Sequence, residues 1–150
     1  LCARVLQRTG AHVSVLGRHG RKLEPLRKDG IPSLDSKSRS EKSFDMVVEA
    51  SGSREGLEKA LWWVRPRGTV VLKTTCTGSH EVNLAPLVVD EITVVGSRCG
   101  PFPPAIAALE KGDLRPEEMI DARYPLVKVE EAFAKAEAPG IRKVILEITG

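Results

Sequence analysis

Residues 44–52 read Phe44-Asp-Met-Val-Val-Glu-Ala-Ser-Gly52. Within it Phe44 to Ala50 is nearly continuous in apolar and β-branched character, as expected of a strand buried on both faces of a parallel sheet. The small residues at its end let a ligand approach the backbone, or form a simple turn. The same grammar appears on either side. His12-Val-Ser-Val-Leu16, Gly68-Thr-Val-Val-Leu-Lys73 and Ile92-Thr-Val-Val-Gly96 are three further strand patterns. Ile31 to Asp35 reads as a short edge strand, because Pro32 has no N–H to give to a ladder.

Helical patterns fill the intervals. In residues 53–64, Leu57, Ala60, Leu61 and Val64 share one face, Ser53 suits the N-cap, and Glu55 and Lys59 have the spacing of an ion pair. Arg65-Pro-Arg-Gly68 is expected to stop that helix and turn the chain. Residues 1–9 and 20–29 read as helices ending at Gly10 and Gly30, and Pro103-Pro104 opens another that Gly112 closes. Trp62 and Trp63 are adjacent, so they cannot both face one core. Strands separated by helices predict βαβ units in an open, doubly wound parallel sheet with right-handed crossovers.

The last third departs from this repeat. Ile120 to Leu126 reads as extended, Val129 to Ala136 as a helix with Ala132, Phe133 and Ala136 on one side, and Arg142 to Ile148 as a final strand. The predicted organisation is residues 1–98 as one domain and 99–150 as a separate segment.

The composition is that of a folded domain, with 41% hydrophobic and 29% charged residues among 150. It excludes collagen-like, low-complexity and disordered classes. No apolar run approaches the ~20 residues that span a bilayer. Net charge is +3, with residues 1–43 holding ten Lys/Arg against four Asp/Glu and the remainder 13 against 16. This spread does not suggest a nucleic-acid binder, which concentrates its basic residues on one face. Three cysteines without paired spacing argue against a disulfide framework and for a reducing, cytoplasmic setting. The chain starts at Leu1 rather than Met and is read as N-terminally truncated.

In an open α/β sheet, ligands bind beyond the carboxyl ends of the strands. After the first strand comes Gly17-Arg-His-Gly-Arg-Lys22. Dinucleotide folds often carry an acid here for the adenine ribose; its absence beside Arg18, Arg21 and Lys22 suits a ribose 2′-phosphate, although basic residues at a helix start are also ordinary surface. Ser51-Gly52-Ser53, Thr74-Thr-Cys-Thr-Gly78 and Ser97-Arg-Cys-Gly100 follow the other strands. Each can line a cofactor pocket or be a plain loop.

Other chemistries are weakly supported. Cys2, Cys76, Cys99, His12, His19 and His80 offer one close pair, Cys76 and His80, with no second pair to complete a zinc site, so no metal ligands are assigned. There is no G-x-S-x-G elbow for a hydrolase. Glu117-Glu118 and Glu130-Glu131 read as solvated helix starts.

The order and spacing of these pieces resembles the C-terminal half of a medium-chain dehydrogenase/reductase, the zinc-type alcohol dehydrogenase family. Val15-Leu-Gly-Arg-His-Gly-Arg-Lys-Leu23, Phe44 to Gly52, Arg65 to Leu72 and Glu91-Ile-Thr-Val-Val-Gly-Ser97 carry the likeness, with Tyr124-Pro-Leu, Glu131-Ala-Phe133 and Arg142 to Leu146 in the tail. The resemblance implies a Rossmann-type doubly wound sheet and an NAD(P)-dependent oxidoreductase, moving hydride between nicotinamide and an alcohol or carbonyl. By position it implies that Gly17, Arg18 and Lys22 meet the adenine ribose in the manner of NADP-preferring members. Ala50, Ser51 and Gly52 would pass along the cofactor ribose. The Lys73 and Ser97 carbonyls and the Cys99 N–H would hold the carboxamide, with Thr75 at the ring, Thr74 among the cofactor-binding residues and Lys143 at the pyrophosphate. It also implies NADP or NAD as cofactor, a small alcohol or carbonyl substrate, no nucleic-acid or membrane partner, and a homodimer or homotetramer joined along residues 92–96.

Two family features have no counterpart in the 150 residues: the G-x-G-x-x-G fingerprint and the catalytic domain with its zinc ligands. The expectation is therefore a sheet lacking its first strand, zinc ligands outside this chain, no catalytic residue within it, and weak NADP(H) binding by this polypeptide alone. Alternatives are a zinc-free quinone reductase-type enzyme, a non-catalytic nucleotide-binding or interaction module, and a methyltransferase, against which the tail speaks.

Overall fold

The computed structural model describes residues 1–34, 42–76, 78–79, 81–112 and 114–148. They form two compact units, Leu1–Ser36 with Pro101–Gly150, and Lys37–Gly100. Both are α/β, and every ladder among the described strands is parallel. No helix among the described residues is long and apolar enough to cross a membrane.

The second unit holds β3 (Phe44–Glu49), α3 (Gly56–Trp63), β4 (Val64–Leu72), α4 (Ala85–Val89) and β5 (Thr93–Gly96), with sheet order β3-β4-β5. Its core is Ala60, Leu61, Val64, Val70 and Ile92, against which Val47, Leu57, Val82 and Leu87 pack. Leu57, Ala60 and Leu61 of the face read from the sequence do turn to this core, whereas Val64, expected as its fourth member, is buried as the first residue of β4. Glu55 and Lys59 pair at 2.8 Å. Trp63 stacks on Phe44 with ring centroids 5.8 Å apart, while Trp62 stays half exposed, so the two indoles diverge.

Three expectations fail here. Arg65-Pro-Arg-Gly68 does not turn the chain; β4 begins at Val64 and runs through it. The irregular stretch is absorbed as a register shift, with Phe44 opposite Val64 but Met46 opposite Thr69. Such a bulge is where a strand tolerates proline. Arg67 there takes a left-handed φ of 62°, and its N–H reaches the Asp90 carbonyl at 2.7 Å. Gly68 fits because a Cβ would lie 2.8 Å from the Arg65 carbonyl oxygen and 2.9 Å from that of Asp45. Second, Ser53 is not the N-cap: α3 starts three residues later, after Glu55. Third, β5 is exposed along all four residues, so it is an edge rather than a two-sided core strand. The helix α4 had no sequence signal strong enough to announce five residues.

The first unit contains α1 (Cys2–Arg8), β1 (Val15–Leu16), α2 (Gly20–Lys28), β2 (Ser33–Leu34), α5 (Phe102–Glu110), β6 (Ile120–Pro125), α6 (Val129–Glu137) and β7 (Lys143–Glu147). Short 3₁₀ turns span Pro116–Met119 and Leu126–Lys128. The strand expected over 12–16 shrinks to two residues, because its partner β2 offers only Ser33 and Leu34 and the ladder closes on the Pro32 carbonyl, which accepts from Val15 N at 2.9 Å. Leu23, Ile31, Ala132 and Ile141 are buried in this unit. Phe133 and Ala136 are exposed, so only Ala132 of the expected trio faces inward. Residues 133 and 132 lie about 100° apart on a helix, too far to share a narrow buried stripe.

Candidate functional site

Parallel register brings the ends of β3, β4 and β5 level: Glu49 lies opposite Leu72, and Leu72 opposite Gly96. The backbone stitches continue past the strands, with Lys73 N donating to the Glu49 carbonyl and Ser97 N to the Leu72 carbonyl, both at 2.9 Å. The residues that leave this edge therefore stand side by side.

Hydrogen bonds tie several of them together. Gly52, at a φ of 69°, turns its N–H onto Thr74 Oγ1 at 3.0 Å. A Cβ on Gly52 would meet nothing within 4 Å, so the turn leaves open space above it. Ser51 N donates to Glu49 Oε1 at 2.8 Å, and Ser53 N to Ser51 Oγ at 3.1 Å. The Lys73 ammonium donates to Ser97 O, Ser97 Oγ and the Arg98 carbonyl, each at 3.2 Å. Ser51, Gly52, Lys73, Thr74 and Ser97 thus form one connected edge. Ala50, Thr75 and Cys99 are exposed at the same strand ends and join none of these side-chain contacts.

Glu49 was not singled out from the sequence as a site residue, yet it is the buried acid of this edge, 5% exposed. Burial pushes its carboxyl up, but hydrogen bonds involving Ser51 and Thr74 outweigh that and hold it below the ordinary range. Oε2 remains without a hydrogen-bond partner among the described residues. A glutamate closing an otherwise apolar strand, followed at once by small residues, was the available signal.

In the other unit, Gly17, Arg18 and Lys22 are exposed. A Cβ on Gly17 would come 2.9 Å from Leu23 Cδ2, so close packing on Leu23 already favours glycine there. Neither Arg18 nor Lys22 has an ion-pair partner among the described residues, whereas Arg21 points to Asp121 at 3.5 Å. Lys22 lines a small, mostly apolar cavity with Arg4, Leu26, Met119 and Arg142. Lys143 is exposed at the start of β7 and does not line it. Arg142 is pinned instead: Nη2 donates to Asp121 Oδ1 at 2.8 Å and its backbone N to Oδ2 at 2.6 Å. These bonds hold the Asp121 carboxyl far below the ordinary carboxylate range and raise the guanidinium in turn.

Among the described residues no three His, Cys, Asp or Glu side chains gather as a metal would need. His80, half of the Cys76–His80 pair, lies outside the described residues. The polar strand-end edge does fit a nicotinamide cofactor in kind: it offers hydroxyls, carbonyls, an open glycine turn and a buried acid with one oxygen unpartnered among the described residues.

No protein-family model matches the chain. D-arabinitol dehydrogenase 1 of Uromyces fabae is 29% identical over 168 aligned residues, covering 98% of this chain and 48% of that protein. L-idonate 5-dehydrogenase of Escherichia coli superposes with a TM-score of 0.85 at 24% identity, covering 98% of this chain and 46% of its own. An alcohol dehydrogenase from Thermus sp. ATN1 gives 0.80 at 26% identity, with 98% and 47% covered. The chain therefore spans about half the length of the relatives that match it end to end. In sequence the chain is similar to about half of a polyol dehydrogenase, and in α/β fold it is similar to about half of the solved idonate and alcohol dehydrogenases.

Proposed function

We propose that the chain is the cofactor-binding part of an NAD(P)-dependent alcohol or polyol dehydrogenase. The observation that carries this is the level, hydrogen-bonded edge of Ser51, Gly52, Lys73, Thr74 and Ser97, at the strand ends where such folds hold ligands. The end-to-end likeness to a D-arabinitol dehydrogenase supports it. A nicotinamide cofactor supplies the hydride chemistry when bound; the chain supplies place and polarity.

In this reading Ala50, Ser51 and Gly52 pass along the ribose, and Thr74 and Thr75 flank the ring. The carboxamide meets the Lys73 and Ser97 carbonyls and the Cys99 N–H. The Ser97 carbonyl already accepts from Lys73, but a carbonyl oxygen has two lone pairs, so one remains. Gly17, Arg18 and Lys22 take the adenine ribose, and the two cations, without an ion-pair partner among the described residues, favour a 2′-phosphate and hence NADP. Lys143 is assigned to the pyrophosphate. The division at residues 98 and 99 belongs to the same reading. So does assembly as a homodimer or homotetramer, which the open edge of β5 supports. A cytoplasmic setting is supported by three free cysteines. The substrate class is a small polyol, as the name of the arabinitol relative suggests.

Titration of the chain with NADPH and NADH, followed by ligand-observed NMR up to millimolar concentrations, tests the proposal. Saturable binding that broadens the nicotinamide protons supports it. No binding of either nucleotide overturns it.

A further inference from the structure

Lys73 is an odd residue for its place. It follows an apolar strand, and it is neither paired with a carboxylate among the described residues nor free in solvent. Its three ammonium protons are matched by three neutral acceptors, Ser97 O, Ser97 Oγ and Arg98 O, all at 3.2 Å. The half-buried side chain is thus fixed, while its charge is not cancelled. Arg98, next along, also has no ion-pair partner among the described residues and adds to the positive field. Glu49 is the buried acid of the edge, but its carboxylate accepts from Ser51 N and forms no ion pair with Lys73.

We infer that Lys73 biases this site between the two redox states of its cofactor. The inference rests on the proposed placement of the nicotinamide at this edge. The oxidised nicotinamide ring is a cation and the reduced ring is neutral, so a fixed ammonium at the same edge disfavours only the oxidised form. One like charge at the same edge, in surroundings between bulk water and protein, alters a binding constant by roughly 2- to 30-fold. Lys73 is therefore a specificity-determining residue for cofactor redox state, and it also fixes the segment carrying the Ser97 carbonyl.

The test measures dissociation constants of NADP⁺ and NADPH for the chain and for Lys73→Met and Lys73→Arg, by ligand-observed NMR. The ratio of oxidised to reduced constants should fall by roughly 2- to 30-fold in Lys73→Met and persist in Lys73→Arg. A structural role alone would weaken both forms together and leave the ratio unmoved; that outcome, with both nucleotides still bound, overturns the inference and spares the proposed function. Failure of the unsubstituted chain to bind either form overturns both. Should Lys73→Met melt early, raising salt on the unsubstituted chain serves instead: the ratio should shrink as the ammonium is screened, and a constant ratio overturns the inference.

Discussion

The Glu49 carboxylate occupies the space that a side chain on Gly56 would need. A Cβ at Gly56 would collide with Glu49 Oε1 and Ser51 Oγ, and would sit 2.7 Å from Glu49 Cδ. The first turn of α3 can approach β3 only because residue 56 has no side chain, and that approach is what buries the acid.

Gly56→Ala is accordingly expected to lower stability by about 1–3 kcal/mol, the range for overpacking a filled site, despite alanine's better helix propensity. In a double-mutant cycle, Glu49→Ala should remove much of that cost, because it removes the atoms struck. Denaturant unfolding of the four proteins measures the coupling; strict additivity would show that the clash relaxes elsewhere.

Val70 and Val88 test where the core of this unit lies. Val70 is fully buried and Val88 is 80% exposed. Val70→Ala should cost about 2 kcal/mol through lost burial and the cavity left behind, and Val88→Ala less than about 0.5 kcal/mol. Thermal melts of the two variants provide the comparison.

Asp121 sets an acid limb for the other unit. Its carboxyl is depressed by Arg142, whose side chain and backbone N–H both donate to it. A depressed acid stabilises the fold fully above the unfolded-state value of about 3.9 and loses that contribution as pH falls below it toward the folded-state value. The melting temperature should therefore drop on acidification below about pH 4. Asp121→Asn should melt lower at neutral pH and show a flatter acid limb. Parallel acid limbs in the two proteins would remove Asp121 as the cause.

Arg18 bears on the choice between NADP and NAD. Arg18→Ala should weaken NADPH roughly tenfold, the loss expected for one hydrogen bond to a charged group, and leave NADH nearly unchanged. Titration with both nucleotides measures this. Equal losses would take the 2′-phosphate away from Arg18.

The strands of the second unit were legible because buried parallel strands are written in continuous β-branched runs. Phe44 to Glu49 and Thr93 to Gly96 depart from the sequence reading by no more than a residue at either end. Helix α3 was legible through the spacing of Leu57, Ala60 and Leu61, although not its start, since a glycine buried beneath a distant acid displaced the expected serine cap. The path of β4 through Pro66 and Gly68 was not legible, because proline and glycine mark a turn and a bulge with the same letters.

The residue types at the strand ends, and their order along the chain, were determined by sequence alone, because hydrophobic period and turn chemistry are local properties. Tertiary structure decided which of them meet. Only the parallel register could bring Lys73 onto Ser97, 24 residues away, or Arg142 onto Asp121, 21 residues away. A charged side chain reads the same on a solvated surface as in a fixed contact, and the difference lies in what the fold places against it.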